Sequence, residues 1–321
     1  MPALTDEQSA DLAAAKAQTA ITRRPVVVAL EEILFDVLPV LDHGFVRVID
    51  YMGDDAAIVQ SARVSYGRGT KKASTDEGLI RYLMRHRHTT PFEMCEIKYH
   101  IKVPIFVARQ WLRHRMASVN EISARYSILD REFYLPAAEH LAVQSASNRQ
   151  GRGDTLSPAE SAQVLALLRA DAEQCYDHYA WLMNEPDEAM GATPEGEGPG
   201  LARELARMNL PVSYYTQFYW KIDLHNLMHF LSLRADSHAQ YEIRAYADVM
   251  MNTVQRWVPA AHRAFADYRL GAVQLSAPAV AVVQRLVRGE HVRRSETGLS
   301  AREWRELCDS LDLPTERMLD T

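Results

Sequence analysis

The sequence has few cysteines, no long apolar run and no excess of positive charge. Its three cysteines, Cys95, Cys175 and Cys308, lie far apart in no metal-ligand spacing, which argues against a disulfide framework and suits a reducing compartment. No stretch approaches the roughly 20 apolar residues of a membrane span, and the early charges do not follow the order of a signal peptide. We therefore expect a cytoplasmic protein without a membrane partner.

The net charge is −6, from 36 basic and 42 acidic side chains. This balance argues against a general nucleic-acid-binding protein. A composition of 47% hydrophobic and 24% charged residues is that of an ordinary globular protein, and 321 residues suffice for one large domain or two. Any anion-binding site must therefore be a local concentration of arginine and histidine on an acidic body.

The chain is predicted to have three parts: an N-terminal extension over residues 1–40, a central domain over 41–270 and a helical C-terminal extension over 271–321. Strict alternation of apolar and polar residues from Glu93 to Val103 predicts a strand with one buried face. The aromatic run Val212–Trp220 predicts a second, buried strand. Because strands and helices do not alternate regularly, we expect an α+β fold.

Three helix starts are marked by capping boxes, in which a serine is followed three residues later by a glutamate. These pairs begin a helix after Ser74, a long helix from Ser157 to about Met183, and the last helix after Ser300. The other predicted elements are a strand near Phe45–Tyr51 and helices at Asp54–Ala62, Ile105–Leu112, Leu224–Leu233 and His238–Trp257.

The segment Arg113–Arg125 concentrates polar side chains without any lysine. Its thirteen residues carry three arginines, one histidine, one asparagine, two serines and a single carboxylate, Glu121. A solvated helix face would mix Lys and Glu at spacings of three and four. Arginines without local carboxylates indicate an anion-binding site, because their planar fork of donors fits phosphate and planar anions. The alternative is an arginine-rich loop that ties subunits together.

Two further segments are dense in polar side chains. Residues 88–93, with the sequence His-Thr-Thr-Pro-Phe-Glu, form either a proline-containing turn before a strand or part of a binding site. Residues 233–244 contain Arg234, whose fixed cation could stabilise an anion that develops on a bound ring. In the same segment, Asp236 could cap the following helix.

His225 and His229 lie four residues apart on a predicted helix, a spacing that could place two imidazoles on one metal ion. No third ligand follows in a usual spacing and their neighbours are apolar, so we expect no metal. A zinc protein that also uses His86 and His88 is one alternative. Another is a protein that binds RNA with its arginine segment, against which the acidic total and the lack of a lysine-rich, aromatic-interleaved surface count.

The arginine segment matches a family signature. Arg-His-Arg, two spacers, Ser, one spacer, Asn-Glu, one spacer, Ser, one spacer and Arg is the signature of the flavin-dependent thymidylate synthases. The fixed positions are all met, by Arg113, His114, Arg115, Ser118, Asn120, Glu121, Ser123 and Arg125. The family's Arg-x-Asp-x-x-Ala-Gln-x-Glu and His-x-Thr-Pro-Phe-Glu patterns also occur, in the family's order. The chain thus resembles this family over residues 46–247.

The resemblance implies a mixed or antiparallel sheet flanked by helices, a catalytic domain within residues 41–270, and a homotetramer with FAD sites where subunits meet. It implies a methyltransferase that converts dUMP to dTMP. The carbon donor would be 5,10-methylenetetrahydrofolate, NADPH would reduce the FAD, and tetrahydrofolate would be released. Nucleic acid is not among the implied partners.

The resemblance also implies the residues of the site. Arg234 would hold the uracil ring and favour ionisation at N3, which makes C5 a better nucleophile. The residues implied to hold dUMP, besides Arg234, are Gln110, Trp111, Leu112, Arg113, Glu121, Ile122, Ser123, Ala124, Arg125 and Arg207. Those implied to hold FAD are Ser65, His88, Thr90, Glu93, Arg113, His114, Arg115, Glu121, Asp223, Leu224, His225 and His229. At positions 223, 225 and 229 the family often has Asn, Arg and Asn instead.

Two expectations follow for the chemistry. The arginine segment contains no cysteine, and Ser123 has no adjacent base, so we expect Ser123 to bind dUMP and not to act as a nucleophile. Arg207 would hold the nucleotide, although a cation near a helix end is also favourable by itself. Because several arginines in one protomer would repel one another, we expect the active site to be shared between subunits.

Overall fold

The computed structural model describes residues 6–64, 76–146 and 151–313. The predicted FAD contact Ser65 and the predicted capping residue Ser74 lie outside the described residues. The chain divides into two compact units, one up to Ala264 and one from Phe265. No helix in the described ranges has the length and apolar character needed to cross a membrane.

The first unit is built on a five-stranded antiparallel sheet. The strands in chain order are β1 (Leu38–Val40), β2 (Gly44–Met52), β3 (Glu96–Pro104), β4 (Ser118–Glu121), β5 (Ala142–Gln144), β6 (Arg152–Thr155) and β7 (Tyr215–Asp223). Their spatial order in the sheet is β1-β2-β3-β7-β4, and β5 pairs with β6 in a separate hairpin. All pairings between these strands are antiparallel, so the expected α+β fold with an antiparallel sheet is confirmed.

Helices flank this sheet. In the first unit they are α1 (Asp6–Ala17), α2 (Val28–Glu31), α3 (Asp55–Val64), α4 (Asp76–Arg85), α5 (Thr90–Glu93), α6 (Ile105–Trp111), α7 (Pro158–Met183), α8 (Arg203–Ala206), α9 (Leu224–Arg234) and α10 (Tyr241–Trp257). Helix α11 (Pro259–Phe265) and a π-helical turn at Ala266–Leu270 follow, and then α12 (Ala277–Val287) and α13 (Ala301–Ser310).

Several predicted boundaries are confirmed and others shift. The capping box at Ser157 is present: its hydroxyl accepts from the Glu160 N–H at 3.3 Å, and the Glu160 carboxylate accepts from the Ser157 N–H at 3.0 Å. The strand predicted from Glu93 begins three residues later, because Thr90–Glu93 forms one helical turn with Pro91 in a position where helices tolerate proline. The aromatic strand begins at Tyr215 rather than Val212.

The core of the first unit lies between one face of the sheet and the helices α6, α9 and α10. Trp111, the last residue of α6, is completely buried. Its ring centroid lies 4.8 Å from that of Phe230, 5.3 Å from that of Trp220 and 5.8 Å from that of Tyr246. This packing fixes the end of α6, and so the place where the arginine segment begins.

The second unit has a core of its own. Trp304 and Leu307 of α13 are buried with Ala279 and Val282 of α12. Its last helix begins at the predicted capping box, where Ser300 accepts from the Glu303 N–H at 3.2 Å.

Candidate active site

The arginine segment borders a cavity of about 680 Å³ in the first unit. The walls come from the end of α6 and the turn after it, from β7 and from α9. The lining residues are Arg109, Gln110, Arg113, His114, Arg115, Met116, Ile222, Asn226, His229, Leu233 and Arg234. A cavity of this size is in the range of small-molecule binding sites.

The turn that carries Arg113, His114 and Arg115 is held at both ends. Before it, the His114 N–H donates to the carbonyl of the buried Trp111 at 3.0 Å. After it, β4 pairs with β7, with Val119 opposite Trp220. Because a packed helix and a paired strand fix the two ends, the three cationic or imidazole side chains are held at the mouth of one cavity.

Arg234, the last residue of α9, reaches the same cavity. Its Nε donates to His114 Nε2 at 3.1 Å, and its Nη2 donates to the Gln110 carbonyl at 3.5 Å. Its Nη1 has no partner within the described ranges. The guanidinium is therefore oriented by the protein while one of its terminal nitrogens stays available to a ligand.

The hydrogen bond from Arg234 to His114 requires a neutral imidazole. Burial, followed by the positive charge of Arg234, lowers the pKa of His114 to about 4. His114 is therefore neutral at pH 7, and its Nε2 can accept a hydrogen bond. Burial and the neighbouring Arg113 also lower the pKa of Arg234, but a guanidinium remains charged in proteins.

Arg113 and Arg115 are exposed, and no carboxylate of the described residues lies within 4 Å of either guanidinium. Together with Arg234 they make the cavity positive. Cations that repel one another in a partly desolvated site are stabilised by an anion. The donor set therefore fits a ligand that carries phosphate groups.

A second cationic place is formed by Arg125 and Arg207. Arg125 Nε donates to Glu204 Oε2 at 2.9 Å, and Arg207 Nε donates to the Glu204 carbonyl at 3.4 Å. Ser123 Oγ accepts from the Arg125 N–H at 3.3 Å. Because the ion pair is exposed, it contributes little to stability, and an anionic ligand can compete for Arg125. None of these residues lines the cavity.

Between these two places runs β4. Its last residue, Glu121, accepts a hydrogen bond on Oε1 from Thr216 Oγ1 at 2.6 Å, which orients the carboxylate. The Ile122 N–H donates to the Gln217 carbonyl at 2.9 Å, and the Ile122 side chain is exposed. Ala124 is buried.

The His88–Glu93 segment packs against α9 but does not line the cavity. His88 and Thr90 are exposed, Glu93 is half-buried, and none of the three lines the cavity. The ring of His88 lies 5.9 Å from that of Tyr82. The residues predicted to hold FAD therefore occupy at least two places in one protomer.

Some predicted site residues are turned away from the cavity. The side chains of Trp111 and Leu224 are completely buried, so only their backbone can face a ligand. Asp223 caps α9, with its carboxylate accepting from the N–H and from Nδ2 of Asn226 at 2.9 and 2.7 Å. Leu112 and His225 are half-buried outside the cavity lining.

The metal-binding alternative and the helix-capping role of Asp236 can both be compared with the structure. The described residues contain no group of three or more His, Cys, Asp or Glu that could hold a metal ion. The expectation that Asp236 caps α10 is wrong, because the carboxylate accepts from the His238 N–H at 2.8 Å and the residue before the helix is Gln240.

Sequence reasoning missed several residues of the cavity. Asn226 and Leu233 lie on the same face of α9 as His229, at spacings of three and four residues. That spacing on a predicted helix was a usable signal. Arg109, Met116 and Ile222 carried no comparable signal, because their position depends on how α6 and β7 pack.

A family model described as Thymidylate synthase complementing protein matches residues 47–260. A protein named flavin-dependent thymidylate synthase from Gluconobacter oxydans (strain 621H) is 62% identical over 97% of this chain and 99% of its own length. This chain belongs to the flavin-dependent thymidylate synthase family. A second such protein, from Ruegeria pomeroyi (strain ATCC 700808 / DSM 15171 / DSS-3), is 62% identical over 95% of this chain and 98% of its own.

Solved structures agree with the family. Two crystal structures of the UMP/dUMP methylase PolB from Streptomyces cacaoi match the fold, one bound with 5-Br UMP and one with 5-Br dUMP. The first is 34% identical, with a TM-score of 0.61, and covers 71% of this chain and 95% of its own. The second is 32% identical, with a TM-score of 0.62, and covers 73% and 99%. The resemblance to the flavin-dependent thymidylate synthases is confirmed.

Proposed function

We propose that this chain is a thymidylate synthase that converts dUMP to dTMP, with FAD as cofactor, NADPH as reductant and 5,10-methylenetetrahydrofolate as carbon donor. The observation that carries the proposal is Arg234, held in a positive cavity by His114 and Gln110 in a chain of this family. Its cation stabilises the negative charge that develops on the uracil when N3 loses its proton. That charge makes C5 a better nucleophile.

The chain's own residues hold and orient the nucleotide. Gln110, Arg113 and Arg234 contribute donors and acceptors from the cavity. Arg125, Arg207 and the oriented carboxylate of Glu121 contribute from the second place. The remaining dUMP contacts that we propose are Trp111 and Leu112 through their backbone, with Ile122, Ser123 and Ala124. Ser123 binds and does not attack, because no base among the described residues lies beside its hydroxyl, which accepts from the Arg125 N–H.

The cavity fits an anionic dinucleotide, because Arg113 and Arg115 have no carboxylate within reach in the described part of the chain. We propose that FAD is held by these two arginines with Ser65, His88, Thr90, Glu93, His114, Glu121, Asp223, Leu224, His225 and His229. When bound, FAD supplies the transfer of hydride equivalents from NADPH. At position 223 the carboxylate accepts two hydrogen bonds from Asn226, which keep the start of α9 in place.

We further propose a homotetramer whose sites are shared between subunits, with the catalytic domain in residues 41–270 and extensions at 1–40 and 271–321. Within the described part of one protomer, the lining of the cavity includes neither Arg125 and Arg207 nor the His88 segment. A neighbouring subunit can bring them together. The three unpaired thiols support a reducing compartment, the cytoplasm.

The spectrum of the purified protein tests the proposal. We expect a yellow protein whose flavin absorbance is bleached by NADPH under anaerobic conditions, and whose flavin band shifts when dUMP is added. UMP is the ligand to compare with dUMP in this experiment, because PolB is described as a methylase of both UMP and dUMP. A colourless protein that takes up no FAD would refute the assignment.

A further inference from the structure

A buried carboxylate outside the cavity is connected to it by hydrogen bonds. Glu242, in the first turn of α10, is only 2% exposed. Its two oxygens accept from Arg152 Nη2 at 2.5 and 2.7 Å, from the Tyr134 hydroxyl at 3.0 Å and from Gln240 Nε2 at 2.8 Å. A buried carboxylate is costly unless its lone pairs are satisfied, and these donors satisfy them.

The charge state of Glu242 decides the direction of these hydrogen bonds. Burial pushes its pKa up, but the hydrogen bonds from Arg152 and Gln240 pull the pKa below its ordinary value, so the group is ionised. An ionised carboxylate can only accept. Gln240 must therefore turn its NH2 group towards Glu242 and its carbonyl oxygen away from it.

The orientation of Gln240 passes on to Gln110. Gln240 Oε1 accepts a hydrogen bond from Gln110 Nε2. Each side-chain amide has one donor end and one acceptor end, so orienting the first orients the second. Gln110 lines the cavity, and its Oε1 has no partner among the residues that the structure describes. This oxygen remains available to a ligand.

We propose that Glu242 is a positioning residue that makes Gln110 present a hydrogen-bond acceptor to the bound nucleotide. This inference rests on the proposed function, since it takes the bound nucleotide to be dUMP. Before N3 is ionised, the ring N3–H is a donor only and matches the Gln110 Oε1. With the amide reversed, an NH2 group would face this donor and the hydrogen bond would be lost.

A purely structural role is the competing explanation, because Glu242 also ties β6 to α10 through Arg152. The cation of Arg152 lies 5.9 Å from the centre of the Tyr241 ring, which adds to that contact. Both explanations predict a less stable protein when Glu242 is changed. Only the positioning role predicts that the effect on dUMP binding depends on Gln110.

A double-mutant cycle distinguishes the positioning role of Glu242 from a purely structural role. Calorimetry would measure dUMP affinity of the FAD-loaded wild type, Glu242→Gln, Gln110→Ala and the double variant, and thermal unfolding would be recorded for each. We expect Glu242→Gln to weaken dUMP binding about tenfold in the wild-type background. In the Gln110→Ala background the same change should weaken it by less than about twofold. The loss of thermal stability should be equal in both backgrounds.

Gln240→Ala tests the same chain of hydrogen bonds without touching the ion pair, and so remains informative if Glu242→Gln does not fold. Gln240→Ala should show the same dependence on Gln110, whereas Arg244→Ala, in the helix that follows, should leave dUMP affinity unchanged. Equal losses in both Gln110 backgrounds, or no loss from either substitution, would overturn the role of Glu242. A wild-type protein that binds no dUMP would instead refute the proposed function.

Discussion

Arg234 is oriented before any ligand arrives, since His114 Nε2 and the Gln110 carbonyl both accept from its guanidinium. A charge-assisted hydrogen bond contributes about 1.5–3 kcal/mol. Arg234→Ala should therefore lower dUMP-dependent turnover about 10- to 150-fold, while the FAD content stays near that of the wild type. Arg234→Lys, which keeps the charge but not the planar fork, should recover only part of the rate.

Steady-state kinetics and flavin absorbance measure these two effects on the same samples. Wild-type turnover by Arg234→Ala would contradict the assignment of Arg234. So would a loss of turnover fully explained by lost FAD.

The lowered pKa of His114 should make the stability of the folded protein depend on pH. The pKa of about 4 lies below the ordinary 6.5, so the folded protein binds fewer protons than the unfolded chain between these values. Stability from the neutral imidazole is thus complete above about pH 6.5 and is lost as the pH falls towards 4. An NMR titration of the ligand-free protein should find no protonation of His114 near neutral pH. In Arg234→Ala the pKa of His114 should rise, because the positive charge that helps to lower it is removed.

His262, whose pKa is lowered mainly by burial, is a suitable internal control, because Arg234 is not among the causes of its shift. Titration of His114 near pH 6.5 in the wild type would contradict the geometry, as would an unchanged His114 pKa in Arg234→Ala.

Among the secondary-structure elements, α9 connects stability to the site, because one end is capped by Asp223 and the other carries Arg234. Loss of a capping side chain costs about 0.5–2 kcal/mol. Asp223→Ala should lower the free energy of unfolding by that amount, and Asp223→Asn should stay close to the wild type because asparagine caps equally well. Urea denaturation measures the free energy of unfolding of both variants. A loss in Asp223→Asn as large as that in Asp223→Ala would show that capping is not the role of this side chain.

The elements that could be predicted from sequence are those with a period or a marked end. β3 alternates over eight of its nine residues and α7 begins with a capping box, so both are predicted with the correct type. β1 and β4 have only three and four residues, too few to show a period. Each exists because a neighbouring strand supplies its hydrogen bonds. For β1 this is β2, which follows it directly, and for β4 it is β7, which is distant in sequence.

The same limit applies to the site. The arginine segment was recognisable because its cations have few local carboxylates. The partner of Arg125, however, is Glu204, which lies 79 residues away. Likewise, nothing near Glu242 in the sequence indicates that Arg152 and Tyr134 satisfy it. Such partners arise only from tertiary packing.

For the whole molecule, we expect active sites that use residues of more than one chain. Arg234 lies in the cavity and Arg207 in the separate place beside Glu204. Co-expression of Arg234→Ala and Arg207→Ala chains should therefore restore activity, up to about one quarter of the wild type for random pairing of subunits. Sedimentation would confirm that the mixed protein is oligomeric.

Arg234→Ala co-expressed with His114→Ala is the matched control, since both side chains line one cavity of one chain. This pair should restore nothing. Equal recovery in both mixtures, or none in the first, would contradict a shared site.

We propose above all that this chain methylates dUMP with a flavin and without a protein nucleophile. The most direct test is a turnover assay of the FAD-loaded protein with NADPH, 5,10-methylenetetrahydrofolate and dUMP, in which both products are identified. We expect dTMP and tetrahydrofolate in equal amounts, with no dTMP when FAD is removed. Formation of dihydrofolate, or of dTMP without flavin, would contradict it.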